Sequence, residues 1–192
     1  MGIERRDFVV ALGETFRPVI RWATPELVST AISAISQTAP VVVTAVGHGT
    51  PAGWPVAVVS ARGMLQINAP RFPPRAGDWH AATVMTADTV KLNDVNSADF
   101  SAYTSGGFLV RQKPVSLTGV TVRLVIRDAP LNGAILATLT EVVGITVDQT
   151  AFTISPRLET AALSWTVGYY DLEVTDPSTT ITQVLTGTIT IQ

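Results

Sequence analysis

Apolar and polar side chains alternate along two similar segments of the chain, residues 15–21 and residues 121–127. The first reads Thr-Phe-Arg-Pro-Val-Ile-Arg and the second reads Thr-Val-Arg-Leu-Val-Ile-Arg. In both, alternate apolar residues fall on one face and the threonine and arginine residues on the other, which is typical of a strand with one buried side. Short amphipathic strands resemble one another in general. We nevertheless interpret these two as strands of one β-domain, separated by an insertion.

Strand-like segments recur along the rest of the chain at intervals of about eight to twelve residues, with turn-forming residues between them, a pattern that indicates a small barrel or sandwich. The predicted strands cover residues 7–22, 41–46, 56–60, 80–85, 89–92, 108–111, 121–127, 135–140, 145–148, 152–155, 169–175, 181–185 and 188–191. The first of these is one long strand or two strands joined at Gly13-Glu14. Pro18 lacks a backbone donor and predicts a sheet edge for it. Residues 24–37 fit a helical turn, a loop or a strand. Residues 156–163 predict one helical turn, since Pro156 suits a helix start.

Composition narrows the classes of protein. Only 15% of the 192 residues are charged, against about a quarter in ordinary domains, and 46% are hydrophobic. No apolar run approaches the ~20 residues that span a bilayer. We therefore expect a large core, surface hidden against partners, or both, and no membrane partner.

Charge and cysteine content exclude further classes. The net charge of −2 offers no basic field for nucleic acid. The absence of cysteine excludes disulfides, thiolate metal sites and a cysteine nucleophile.

Candidate chemistry is sparse. His48 lies between two glycines, where an imidazole usually fixes a turn by hydrogen bonding to the backbone, although a zinc site with Asp78 and His80 is the alternative. Motifs for a serine nucleophile, a phosphate loop or a zinc helix do not occur, and the carboxylates are too scattered to pick out a glycosidase pair. We expect no catalytic residue, metal or cofactor.

Large aromatic and arginine side chains are the candidates for binding. Trp54 and Trp79 lie in loops, where they provide either a sugar-stacking platform or an anchor in the core or between subunits. Residues 69–78 are rich in proline and carry two arginines, which predicts a rigid docking loop or an ordinary solvated one. The candidate interface residues are Trp22, Trp54, Arg71, Phe72, Arg75 and Trp79.

Several motifs resemble one family. The segments SLTGVTVRLVIRD (116–128), YYDLEVTDPSTT (169–180) and LTGTITI (185–191) together resemble the amino-terminal domain of phage baseplate upper proteins, which recurs in tailed-phage tail proteins. In that family a Gly-Asp/Glu-Thr-Phe strand precedes the Leu-Thr-Gly strand, and the Gly-Glu-Thr-Phe of residues 13–16 fits. Simpler members of the family join these two strands by a short link, whereas here a long insertion separates them.

The insertion has a resemblance of its own. Its segments PVVVTAVGHG (40–49), GMLQIN (63–68), DTVKL (88–92) and YTSGG (103–107) are similar to a small β-barrel module of phage tail proteins, which itself resembles a domain of ubiquitin-activating enzymes. The resemblance implies an all-β chain, in which an immunoglobulin-like β-sandwich of residues 1–34 and 113–192 is interrupted by a small β-barrel of residues 35–112.

These resemblances imply a non-enzymatic structural protein of a bacteriophage virion, assembled in the host cytoplasm. We expect a compact tail or baseplate adaptor that attaches fibres or neighbouring subunits in a symmetric homo-oligomer, because the sequence does not show the long coiled or fibrous carboxyl-terminal extension that many baseplate proteins carry. A head-decoration or head-fibre protein is one alternative. A carbohydrate-binding module that contacts the host surface is another.

Overall fold

The computed structural model describes residues 4–192, and within them the all-β prediction is confirmed, with 48% of residues in strands and 3% helical. The chain divides into two compact units. The outer unit combines the residues up to Trp22 with Ser116–Gln192, and the middle unit is Ala23–Val115. Residues 1–3, which the predicted first domain includes, lie outside the described residues.

The described residues form eighteen strands and two short 3₁₀ turns, Leu65–Ile67 and Ala76–Asp78. In chain order the strands are β1 (Glu4–Arg5), β2 (Phe8–Val10), β3 (Thr15–Phe16), β4 (Ile20–Arg21), β5 (Ala23–Ala31), β6 (Ala34–Ile35), β7 (Val41–Thr44), β8 (Ala57–Val59), β9 (Ala82–Val84), β10 (Thr89–Leu92), β11 (Phe108–Pro114), β12 (Thr121–Arg127), β13 (Ile135–Thr140), β14 (Ile145–Asp148), β15 (Thr153–Pro156), β16 (Leu158–Glu159), β17 (Val167–Thr175) and β18 (Ile181–Ile191). No helix within residues 4–192 has the length and apolar character needed to cross a membrane.

One large sheet dominates the outer unit. Its strand order is β1-β18-β17-β12-β13, and β2 also pairs with β18. The pairings along β13, β12, β17 and β18 are antiparallel, whereas β1 and β2 run parallel to β18. Strands β1 and β2, near the beginning of the chain, therefore lie alongside β18, near its end.

Two smaller sheets complete the outer unit. One has the order β14-β15-β4 and the other pairs β16 with β3. Buried residues of the small sheets, such as Phe16 and Ile154, share one core with Leu124, Leu172 and Ile189 of the large sheet. Each fully buried side chain of this kind contributes roughly 1.5–3 kcal/mol. Sheets that face each other over one core give the outer unit the architecture of a β-sandwich.

The middle unit also has two main sheets. One has the order β6-β7-β10-β9 and the other the order β5-β11-β8. Their apolar side chains share a second core, in which Val41, Val58, Met64, Val90 and Leu92 are fully buried. A core separate from that of the outer unit is what a compact unit requires.

The alternation that predicted the first strand is present in the burial of its side chains, but the strand is broken. Phe16 and Ile20 are buried and Arg17 is exposed, as predicted. Residues 7–22 nevertheless form three short strands, β2, β3 and β4, and Pro18 lies between two of them, where no ladder donor is needed.

Residues 24–37, which the sequence left open between a helical turn, a loop and a strand, contain the strand β6 and most of β5. Two other segments differ from their predictions. Residues 156–163 contain β16, which pairs with β3 rather than forming a helical turn. Residues 181–191 form the single strand β18 instead of two, because the ladder with β17 continues through Gly187.

The division into units also differs from the predicted boundaries. Residues 23–34 and 113–115 lie in the middle unit, whereas the prediction placed them in the discontinuous domain. The cause is strand pairing, since β5 pairs with β11 and β6 pairs with β7. These hydrogen bonds hold both segments within the middle unit.

Candidate binding sites

A single carboxylate organises the proline-rich loop of the middle unit. Asp78 Oδ2 accepts a hydrogen bond from the Arg75 backbone N–H at 2.8 Å, and the Asp78 N–H donates to the Arg75 carbonyl at 2.8 Å. The Nε of Arg71 lies 3.7 Å from the same carboxylate oxygen. The loop backbone is therefore held in one conformation while both arginine side chains remain largely exposed.

Beside this loop lies an open groove that we call the aromatic groove. It is lined by Ser29, Val59, Ser60, Phe72 and Phe108 and has a volume of about 290 Å³. The side chain of Phe72 is 64% exposed and that of Phe108 is 45% exposed. Two phenylalanine rings thus face solvent in one concave surface.

Phe72 was a candidate from sequence, but Phe108 was missed. Phe108 opens strand β11, opposite Ala31 of β5 and Val59 of β8. Its position near Phe72 depends on this three-strand pairing. The sequence signal that was available is the double glycine before it, which marks the start of the strand.

The structure does not support Trp54 as an interface residue. Only 1% of Trp54 is exposed, and its Nε1–H donates to the Gln112 carbonyl at 2.9 Å. Trp54 is therefore a core residue of the middle unit, which corrects its place among the candidate interface residues. Of the two alternatives drawn from the sequence, the core anchor holds for Trp54 and the sugar platform with Trp79 does not. Trp79 is partly buried at the end of the loop, and Trp22 packs partly buried against the core of the outer unit.

The two histidines have structural partners. His48 is 3% exposed, its Nδ1 accepts the Thr50 backbone N–H at 3.0 Å, and its Nε2 lies 3.1 Å from the Thr86 carbonyl. This arrangement places the proton on Nε2, so the imidazole fixes the turn as the sequence interpretation expected. His80 Nδ1 lies 3.2 Å from Asp94 Oδ2. Within residues 4–192 no group of three His, Cys, Asp or Glu residues is arranged to hold a metal ion.

The outer unit carries a different site, which we call the polar pocket. Its volume is about 250 Å³. It is lined by residues of β17 and β18, by the loop that follows β12, and by the arginines at the ends of β1 and β12. The lining residues are Arg5, Arg127, Ala129, Pro130, Leu131, Tyr169, Tyr170, Asp171, Gln183, Thr186, Gly187 and Thr188.

Hydrogen bonds hold the floor of the polar pocket in place. Asp171 Oδ1 accepts from Gln183 Nε2 and, at 2.9 Å, from Thr186 Oγ1. Arg127 Nη1 donates to the Gly133 carbonyl at 3.1 Å, which orients this guanidinium toward the loop. Beneath the floor, burial raises the pKa of Tyr170 and keeps its hydroxyl neutral, and that hydroxyl donates to the Arg6 carbonyl at 2.7 Å.

An aspartate anchors the amino-terminal strand beside the polar pocket. Asp7 Oδ1 accepts both the side-chain hydroxyl and the backbone N–H of Thr188, each at 2.9 Å. These hydrogen bonds to the ionised form hold the pKa of Asp7 below its ordinary value. Arg5, on the pocket wall, lies with its Nε 3.6 Å from the other oxygen of Asp7.

Sequence reasoning missed the polar pocket. The available signal was the alternation of β17, which sends Tyr169 and Asp171 away from the core while Tyr170 and Leu172 point into it. Which residues of β18 face them depends on the register of the pairing, with Asp171 opposite Thr186. No protein-family model matches this chain, and a search of curated proteins finds no match.

Proposed function

We propose that this protein is a non-enzymatic structural component of a tailed-phage virion, a compact tail or baseplate adaptor that holds fibres or neighbouring subunits. The observation that carries the proposal is the aromatic groove, which exposes Phe72 and Phe108 in one concavity of the middle unit. Aromatic side chains are enriched at the centres of protein interfaces. The resemblance of the sequence motifs to those of tail proteins supplies the virion context.

The energetics of the groove suit a docking surface. Burial of one phenylalanine side chain against a partner contributes about 1.5–3 kcal/mol, so two rings supply much of the free energy of a moderate interface. Asp78 holds the adjacent loop in place before binding, and a preorganised loop loses less conformational entropy on association. The exposed Arg71 and Arg75 suit the polar rim that surrounds such a centre.

Incorporation into virions tests the proposal. A phage lacking the gene is complemented with the wild-type chain, with the double variant Phe72→Ser and Phe108→Ser, or with Leu65→Ser as a matched control. Leu65 is 67% exposed in the same unit but does not line the groove. We expect the wild type and Leu65→Ser in purified virions and the double variant depleted from them, with all three proteins folded in circular dichroism spectra.

Two outcomes contradict the proposal. Absence of the wild-type chain from purified virions rejects a structural role, and equal incorporation of the double variant rejects the groove as the docking surface. Immunogold labelling of the virions then separates the tail adaptor from a head-decoration or head-fibre protein, since label on the capsid favours the latter.

A further inference from the structure

We propose that the polar pocket of the outer unit binds a single acidic sugar residue, a pyranose ring that carries a carboxylate. This inference goes beyond the adaptor function and does not depend on it, because it rests on other residues. It also differs from the tryptophan platform that was one alternative from the sequence, since Trp54 is buried.

The size of the polar pocket limits the ligand. Its volume of about 250 Å³ is smaller than the roughly 300–1,000 Å³ of pockets that hold drug-sized ligands. A single six-membered ring with its substituents fits this space, whereas a nucleotide or a peptide of several residues exceeds it. The ligand is therefore one residue, free or exposed on a longer polymer.

The floor and wall of the pocket offer partners for both faces of a sugar. Tyr169 is half-buried and contributes an aromatic surface of the kind that packs against the C–H face of a ring. Both hydrogen bonds that Asp171 accepts within residues 4–192 use Oδ1, so Oδ2 remains an acceptor for a ligand hydroxyl. Gln183 donates through Nε2 and keeps its Oε1 as a second acceptor.

The charges on the pocket wall select an acidic ligand over a neutral one. Two guanidinium groups, those of Arg5 and Arg127, line the pocket, and Asp171 is the one carboxylate in the lining. Asp7, outside the lining, lies with its Oδ2 3.6 Å from the Nε of Arg5. Arg127 uses Nη1 for the Gly133 carbonyl and so has its Nε and Nη2 donors for another acceptor. Arginine binds carboxylates with paired, charge-assisted hydrogen bonds. A ring that carries both hydroxyls and a carboxylate satisfies the floor and the wall together.

Titration of the full chain with three probes tests the inference. Glucuronate carries the ring and the carboxylate, glucose carries only the ring, and acetate carries only the carboxylate. We expect glucuronate to shift the amide resonances of residues 169–171 and 183–188 in proton–nitrogen NMR spectra, with an affinity at least about tenfold above that for glucose or acetate, the scale of one charge-assisted hydrogen bond.

Variants locate the binding. Arg5→Gln and Asp171→Asn each remove one contact, and Arg157→Gln is the matched control, since Arg157 is exposed and lies outside the pocket. The glucuronate affinity should fall about tenfold in the first two and stay unchanged in the control. The side chain of Arg5 is 70% exposed, so Arg5→Gln should leave the fold intact. It therefore tests the pocket even if Asp171→Asn destabilises the sheet.

Three results overturn the inference. Acetate binding as tightly as glucuronate indicates a simple anion site, and glucose binding as tightly indicates that the arginines select nothing. No resonance shift near the pocket at tens of millimolar glucuronate excludes the site. None of these results affects the virion experiment, so the two proposals fail separately.

Discussion

At the scale of single residues, the turn at residues 47–50 combines a satisfied histidine with an unsatisfied hydroxyl. Both ring nitrogens of His48 have backbone partners. Thr50 is 7% exposed, and its buried Oγ1 has no hydrogen-bond partner within residues 4–192. A buried polar atom without a partner costs about 1–3 kcal/mol of stability.

We therefore expect Thr50→Val to stabilise the protein. Valine keeps the branched shape of the side chain and removes the unpaired oxygen, so the free energy of unfolding should rise by about 1 kcal/mol. Equilibrium urea unfolding measures the change. Thr50→Ser is the control, since it keeps the hydroxyl and loses a buried methyl group, and it should destabilise. A Thr50→Val variant less stable than the wild type would show that the hydroxyl has a partner in solution.

At the scale of elements, the parallel pairing of the amino-terminal strands with β18 depends on one glycine. Gly187 lies in β18 with a φ of +156°, and a Cβ built on it would lie 2.0 Å from the Arg6 carbonyl oxygen. Only a glycine permits the two backbones to approach this closely. The close pairing therefore limits position 187 to glycine, although glycine has a low propensity for strands.

Gly187→Ala should destabilise the outer unit by at least about 2 kcal/mol, because a backbone atom cannot move aside as a flexible side chain can. Hydrogen exchange of the amides in residues 4–12 and 185–192 measures the loss of pairing. Gly77→Ala is the matched control, since its added Cβ meets no atom within 4 Å and should leave exchange unchanged. Equal exchange in Gly187→Ala and wild type would contradict the close approach.

The same strand pairing makes stability depend on pH. The folded pKa of Asp7 lies below its ordinary 3.8 because Thr188 hydrogen-bonds to the carboxylate. The carboxylate of Asp7 therefore binds a proton more readily in the unfolded chain than in the folded one. Its contribution to the free energy of unfolding is present above pH 3.8 and is lost as the pH falls through the folded pKa. We expect Asp7→Asn to reduce the loss of stability between pH 5 and about pH 2.

Urea unfolding midpoints of the wild type and Asp7→Asn at several acidic pH values measure this effect. Asp176 and Glu159 also have lowered pKa values from hydrogen bonds, so the variant should keep part of the acid sensitivity. The difference in stability between the two proteins at pH 7 is the control, since it measures the effect of replacing the carboxylate by the asparagine amide without protonation. Parallel pH profiles for the two proteins would show that the Thr188 contacts do not favour the ionised carboxylate.

The local alternation of apolar and polar residues predicted those strands whose limits do not depend on pairing with distant segments. The segments 135–140 and 145–148 match β13 and β14. β5 was ambiguous because its proline and its serine and threonine residues suit several conformations, and its pairing with β11 decides the matter. The polar pocket and the aromatic groove escaped prediction for the same reason. Each brings together residues far apart in sequence.

At the scale of the whole molecule, the chain leaves the outer unit and returns to it at adjacent points. Ala23 is the pairing partner of Pro114 in the β5–β11 ladder, so the two ends of the middle unit lie side by side. Each unit has its own buried core. An insertion whose ends are adjacent and whose core is its own leaves the host fold intact when it is added or removed.

We therefore expect residues 23–115 to fold when expressed alone, and the outer unit to fold when these residues are replaced by a short glycine-serine linker. Each fragment should show dispersed amide resonances and a cooperative unfolding transition in urea, because its core is complete. Leu92→Ala in the excised middle unit and Leu172→Ala in the shortened chain should each cost about 2–5 kcal/mol, since both side chains are fully buried.

The two substitutions also serve as controls for each other in the full chain. Leu92→Ala should increase hydrogen exchange within residues 23–115 and leave β12 and β17 protected, while Leu172→Ala should do the reverse. Fragments that remain unfolded, or full-chain variants that lose protection equally in both units, would show that the cores depend on one another. Fragments that fold alone, together with full-chain variants that each lose protection in one unit only, would explain how the outer unit tolerates so long an insertion. The pairing of Ala23 with Pro114 holds the ends of the insertion together, so the outer unit does not bear the entropic cost of closing a long flexible loop.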